Sequence, residues 1–213
     1  MIDPSFWHKK WEKNEIAFHE SEANPLLVKH FSDLSLVKGS RVFVPLCGKT
    51  RDISWLLSNG YRVAGAELSQ IAIEQLFMEL GRQPEISTVG EVEQWSANSL
   101  DIFVGDIFAV SRKMLGPVDA IYDRAALVAF PEDMRNRYTA HLRGMTGKAP
   151  QLLICYDYDQ ILVQGPPFSI RNEEVHRYYA DHYEVTLMAS TDVSGGLKGK
   201  CPAKENVWRL KCK

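Results

Sequence analysis

From Arg41 onward the chain alternates short apolar runs with stretches of helical period, and only one class of fold accommodates that alternation. Apolar runs this short, closed by turn residues, read as strands covered on both faces, and such strands belong to parallel sheets with helices packed on either side. Residues 41–46 read as the first strand, a helix over about 51–58 stops at Asn59-Gly60, and residues 61–67 read as the second strand. Ser69 is placed to cap the next helix, which has Ile73, Leu76, Phe77 and Leu80 on one side and Gly81 at its end. Residues 100–104, 118–122 and 151–156 continue the strands, with a helix around 134–144 between the last two. A helical stretch near 173–179 then leads to strands at 183–187 and 206–210, close enough to pair as a terminal antiparallel hairpin. The expected fold is a single-domain Rossmann-like open sheet of α/β class, mostly parallel with an antiparallel terminal strand.

Residues 1–30 do not fit the alternation, yet they gather Phe6, Trp7, Trp11, Phe18 and His19 in a short span. They read as a helical lid over a core formed by residues 31–213, the whole being one domain, as is common at a length of 213 residues. The charge balance excludes some partners. With 25 basic and 27 acidic residues there is no global positive field to attract a nucleic-acid backbone. No apolar run approaches membrane-spanning length, and no signal-like core opens the chain, so a cytoplasmic protein is expected. Cys47, Cys155, Cys201 and Cys212 are too scattered for a zinc site or a redox pair and read as free thiols.

In an open parallel sheet, ligands bind beyond the carboxyl ends of the strands. The first strand leaves through Pro45-Leu-Cys-Gly48, where a glycine lets backbone approach a ligand, and the second closes on Glu67. An acidic side chain there commonly accepts hydrogen bonds from both hydroxyls of a ribose. Gly48-Lys49-Thr50 is not a phosphate loop, because the position of its first glycine is Phe43, inside a strand. A single glycine also falls short of the three in a pyrophosphate fingerprint. What remains is an adenosine ligand without a pyrophosphate.

The chain resembles the thiopurine S-methyltransferases, within the class I S-adenosylmethionine-dependent methyltransferases. The resemblance runs, in order, through Trp7-His-Lys-Lys-Trp11 with Ala17-Phe18-His19, Val44-Pro-Leu-Cys-Gly-Lys49, Gly65-Ala-Glu67, Asp123-Arg-Ala-Ala-Leu-Val128 and Gly165-Pro-Pro-Phe168. It implies S-adenosyl-L-methionine as cofactor, contacted by Trp7, Trp11, Leu46, Glu67, Asp106, Ile107 and Arg124. The spacing of the two tryptophans agrees, since residues four apart share a helical face. Arg124 is implied to touch both cofactor and acceptor at the transfer centre, and Phe18 to face the acceptor ring. The bland alternatives are a hydrophobic staple for the tryptophans, a plain turn at Asp106, a structural ion pair at Arg124 and core packing for Phe18.

The implied reaction is methyl transfer to an aromatic or heterocyclic thiol held as thiolate by a small monomeric enzyme. Two departures bear on the acceptor. Gly195-Gly-Leu-Lys-Gly-Lys200 lacks the arginine that animal members carry near this loop, and the animal amino-terminal extension is missing, as in bacterial members. Bacterial relatives are linked to selenium and tellurium compounds as well, so these remain alternative acceptors. The rival readings are a non-catalytic S-adenosylmethionine-binding protein and a dehydrogenase using the same Glu67. Asp157 and Asp159, just past the fifth strand, are candidate bases, with a turn or a solvated face as the alternative.

Overall fold

The structure, a computed structural model, describes residues 4–16 and 19–213. The chain runs α1 (Pro4–Glu12), α2 (Pro25–His30), β1 (Arg41–Pro45), α3 (Arg51–Ser58), β2 (Arg62–Glu67), α4 (Gln70–Glu79), β3 (Glu85–Val89), β4 (Val92–Ala97), β5 (Leu100–Val104), α5 (Arg112–Leu115), β6 (Ala120–Arg124), α6 (Glu132–Thr146), β7 (Gln151–Tyr158), α7 (Asn172–Tyr179), β8 (Tyr183–Asp192) and β9 (Ala203–Cys212). All nine strands join one sheet in the order β3-β4-β5-β2-β1-β6-β7-β9-β8. Val42, Phe43 and Val44 at its centre are buried, as a strand covered on both faces requires.

The five central strands, β5-β2-β1-β6-β7, pair in parallel. Both margins are antiparallel, and here the expected, mostly parallel sheet with one antiparallel terminal strand needs correcting: the sheet is mixed, with β3-β4-β5 at one side and β7-β9-β8 at the other. The β3-β4 hairpin escapes a periodicity argument because β3 is an edge strand whose residues are nearly all exposed, so no apolar alternation marks it. The strand expected at 118–122 starts at Ala120. Asp119 instead turns its carboxylate back to accept from the Arg41 backbone N–H at 2.7 Å, which carries the strand on through Asp123 and Arg124.

Helices α2, α3 and α4 cover one face through Leu27, Ile53, Leu56, Ile73, Leu76 and Phe77, while α5, α6 and α7 cover the other. The expected Ser69 cap is present at the start of α4, and Thr50, not singled out as a cap in the sequence, likewise accepts a backbone N–H at the start of α3, each worth about 1 kcal/mol. Asn24 caps α2, its backbone N–H donates to Asp52 at 2.7 Å, and Leu27 is fully buried, so α2 packs with the core. Among the described residues no helix is long and apolar enough to cross a membrane.

Candidate active site

Glu67 closes β2, and its side chain ties together the exits of two strands. One carboxylate oxygen accepts from the Gly48 N–H at 2.8 Å and the other from the Ser69 N–H at 2.9 Å. Its carbonyl accepts from the Gly105 N–H at 2.8 Å, which links the turn after β5 to the same point. Each carboxylate oxygen has further lone pairs, so two ribose hydroxyls can still be accepted. Burial pushes the Glu67 carboxyl above its ordinary range, and the N–H groups of Ser69, Gly48 and Leu68 pull it back only in part.

The loops at these exits are held in unusual backbone. Leu46 (φ +47°) and Ala125 (φ +65°), after β1 and β6, both lie in the left-handed region, which side chains seldom occupy and which marks sites where geometry outweighs strain. Gly48 has φ +50°, and a Cβ there would sit 3.0 Å from Trp11 Cζ2, so the glycine both makes the turn and admits the indole. Trp11 and Trp7 share α1, as their spacing implies; Trp11 is buried against this loop, and Trp7 is half-buried with Phe6 edge-on to it at 5.1 Å.

A cleft of about 480 Å³ opens beside these exits, lined among others by His8, Leu68, Ser69, Val92, Glu93 and Gly105. Neither His8 nor Leu68 was singled out in the sequence, although the residue after a strand-closing acid is bound to flank whatever that acid holds. Ile107 is buried, with its carbonyl 2.9 Å from His141 Nε2. Asp106 is exposed and accepts from the Phe108 N–H at 2.9 Å, the work of a turn cap. Lys49 and Arg51 both pair with Glu79, at 3.0 and 3.2 Å, so Gly48-Lys49-Thr50 offers no cation to a phosphate.

At the end of β6, strand alternation separates two neighbours. Asp123 points to the α6 side, where it is fully buried and accepts from the Tyr138 hydroxyl at 2.7 Å and the Leu127 N–H at 3.1 Å. That burial raises its carboxyl to about 6. Arg124 points to the opposite side with Tyr122, whose hydroxyl donates to Asp52 at 3.0 Å. The partner of Arg124 is not Asp123 but Glu20 of the amino-terminal segment. Burial works against the Arg124 charge, but Tyr122, Glu20, Tyr156 and Asp52 around it more than compensate, and the guanidinium stays charged. Phe18 lies outside the described residues.

A strained, adenosine-suited loop after β1 and a largely buried arginine at the end of β6 sit at neighbouring strand exits, and sequence comparison decides what they serve. The family model for thiopurine S-methyltransferase (TPMT) matches residues 2–212. A protein of Xanthobacter autotrophicus named thiopurine S-methyltransferase is 57% identical over 210 residues, covering 98% of this chain and 99% of its own. The chain belongs to the thiopurine S-methyltransferase family. It is thus an S-adenosylmethionine-dependent methyltransferase. A second thiopurine S-methyltransferase, from Gluconobacter oxydans, is 50% identical over 96% of this chain and 93% of its own.

Solved structures agree on the fold. The 1,6-didemethyltoxoflavin-N1-methyltransferase of Burkholderia thailandensis, crystallised with S-adenosylhomocysteine, superposes with a TM-score of 0.65 at 15% identity, over 98% of this chain and 87% of that one. The magnesium protoporphyrin IX methyltransferase of Synechocystis, also holding S-adenosylhomocysteine, gives 0.65 at 11% identity, over 98% and 100%. The residues at the β1 and β2 exits fit an adenosine ligand: a buried carboxylate with free lone pairs and a side-chain-free approach at Gly48, with the Trp11 indole against it.

Proposed function

We propose that this enzyme transfers the methyl group of S-adenosylmethionine to the sulfur of an aromatic or heterocyclic thiol of thiopurine type, taken as its thiolate. The observation that carries the acceptor class is Arg124: a charged guanidinium, its side chain only 11% exposed, at the exit of the strand next to β1. A cation fixed there favours an anionic sulfur over a neutral hydroxyl or amine.

The roles follow from the strand order. Glu67 accepts the ribose hydroxyls, while Leu46, Asp106 and Ile107 border the nucleoside and Trp7 and Trp11 cover it. From β5 to β6 is three strand spacings, about 14 Å, room for a nucleoside with an extended amino-acid arm whose reactive end lies by Arg124. The cofactor supplies a methyl on a sulfonium, so transfer to a thiolate merges opposite charges and is favoured where water is excluded. Arg124 orients the thiolate, and Phe18, by its match to the family, stacks on the acceptor ring. In-line positioning alone contributes roughly 7–11 kcal/mol, and no covalent enzyme intermediate is needed. In this proposal the enzyme acts as a monomer, and the four unpaired cysteines support a reducing, cytoplasmic setting.

The test is an acceptor screen of thiopurines, thiophenols, phenols, anilines and reduced selenium compounds, with methyl transfer read by mass. Turnover concentrated on thiols supports the reading. Turnover of phenols or anilines but not thiols refutes it, and cofactor binding with no turnover of any acceptor class points to a binding protein.

A further inference from the structure

The proposed transfer needs a thiolate, and none of the residues named above takes the proton of a neutral thiol. Asp157 and Asp159 fail on geometry. Asp157 lies opposite Lys204 in the ladder and so faces the other side of the sheet from Tyr156, among Arg171, Glu173 and Glu174. Asp159 closes a turn, accepting from the Ile161 N–H at 3.1 Å.

Glu205 is placed differently. Strand β9 lies between β7 and β8, and its register sets Glu205 opposite Tyr156, while Arg124 pairs with Ile154, two residues back on β7. By the two-residue strand period, Arg124, Tyr156 and Glu205 share one face of the sheet, the face that carries Tyr122. The charged and titratable groups facing Glu205 are Arg124 and Tyr122 from β6, Tyr156 from β7, Asp52 from α3 and Glu20 from the amino-terminal segment. Its neighbour across on β8 is Thr191, which does not titrate. Glu205 is half-buried, and its carboxylate has no hydrogen-bond partner among the described residues. Burial raises its carboxyl above the ordinary range, Arg124 lowers it, and Glu20 and Asp52 raise it again. A carboxylate so placed holds a proton more readily than one in water.

We propose that Glu205 is the general base of the reaction, removing the acceptor's proton beside the Arg124 guanidinium that receives the thiolate. The inference rests on the thiol-acceptor reading above. In the step, the S–H bond breaks and its proton forms an O–H bond on Glu205. The sulfur electron pair left behind forms the new C–S bond to the methyl as the sulfonium C–S bond breaks, with that pair remaining on the departing sulfide. Glu205 then returns its proton to water.

The experiment compares wild type, Glu205→Gln and Glu205→Asp on thiophenols of graded acidity, from 4-nitrothiophenol to 4-methoxythiophenol, over about pH 5–9. Titration calorimetry with S-adenosylhomocysteine checks that each variant is folded. Glu205→Gln is expected to lose about 10²–10⁴-fold on the least acidic thiols and to approach wild type on thiols already ionised, its rate following the thiol's own ionisation. Glu205→Asp is expected to recover part of the rate and the wild-type acidic limb. Equal losses across the series, no loss at all, or an aspartate variant indistinguishable from glutamine would overturn the role. A wild type that methylates no thiol ends the thiol-acceptor reading and this role with it, whereas an active wild type matched by the glutamine variant ends this role alone.

Discussion

Replacing Glu67 with glutamine separates what this residue does for the fold from what it does for the ligand. In the folded protein its two oxygens take the Gly48 and Ser69 N–H groups, and the amide offers one oxygen for both, leaving one buried donor facing an NH₂ at a cost of about 1–3 kcal/mol. Against this, the variant removes a buried charge. The Glu67 pKa is raised, so its contribution to stability is fullest below the ordinary carboxylate range and is lost as pH rises through its folded value; at neutral pH the charge is carried at a cost. The two effects offset, and the thermal midpoint near neutrality is expected to move little. Ligand binding has no such offset. Two hydroxyls bonded to a charged acceptor contribute about 1.5–3 kcal/mol each, against about 0.5–1.5 for neutral bonds, so the net loss is about 2–3 kcal/mol, or roughly 30- to 150-fold in Kd. Titration calorimetry with S-adenosylhomocysteine reads this directly, with the acceptor KM as control. An unchanged Kd refutes the assignment, and an equal rise in the acceptor KM would mean that the whole site had shifted.

Three further outcomes follow from the same geometry. Asp123→Asn keeps the Leu127 N–H bond on its oxygen, reverses the Tyr138 bond so that the NH₂ donates to the hydroxyl, and removes the charge; because the wild-type carboxyl rises from 3.8 to about 6, wild type should lose about 3 kcal/mol across that interval as pH increases, and denaturation curves of the variant should lack that component, identical pH slopes being the contrary result. Gly48→Ala forces alanine into left-handed backbone at about 1–2 kcal/mol and presses on Trp11, so the thermal midpoint should fall and the tryptophan emission shift; an unaltered protein would mean the loop is looser than described. Arg124→Lys retains the charge opposite Glu20 but not the planar fork, so transfer should fall most for weakly acidic thiols, and a uniform deficit would make Arg124 a structural ion pair.

The five parallel strands were legible because each is buried on both faces and therefore apolar almost throughout. Strand β3 was not, because an exposed edge strand need satisfy only its backbone. At the site, Glu67 stood out through the position it closes, nineteen residues after Gly48. Glu20 and Glu205 gave no such signal: one lies 104 positions from Arg124, and the other is a polar residue in a late strand, which reads as a solvated face until the register is known. Leu46 and Ala125 adopt left-handed backbone that neither residue type prefers, so only the structure reveals the turns they make. Leu27 drew α2 into the core through burial that a six-residue helix is too short to advertise.

Strand β8 touches the rest of the sheet only through β9, since the order at that margin is β7-β9-β8. The later strand in the chain is therefore the inner one: β8 is held in the sheet only through its pairing with residues 203–212, which themselves pair with β7. The connecting loop at 193–202 acts as the tether that makes the arrival of β9 an intramolecular event. Cutting that loop would leave β9 to find β7 as a separate partner, and Glu205, carried on it, would reach Arg124 only when it did.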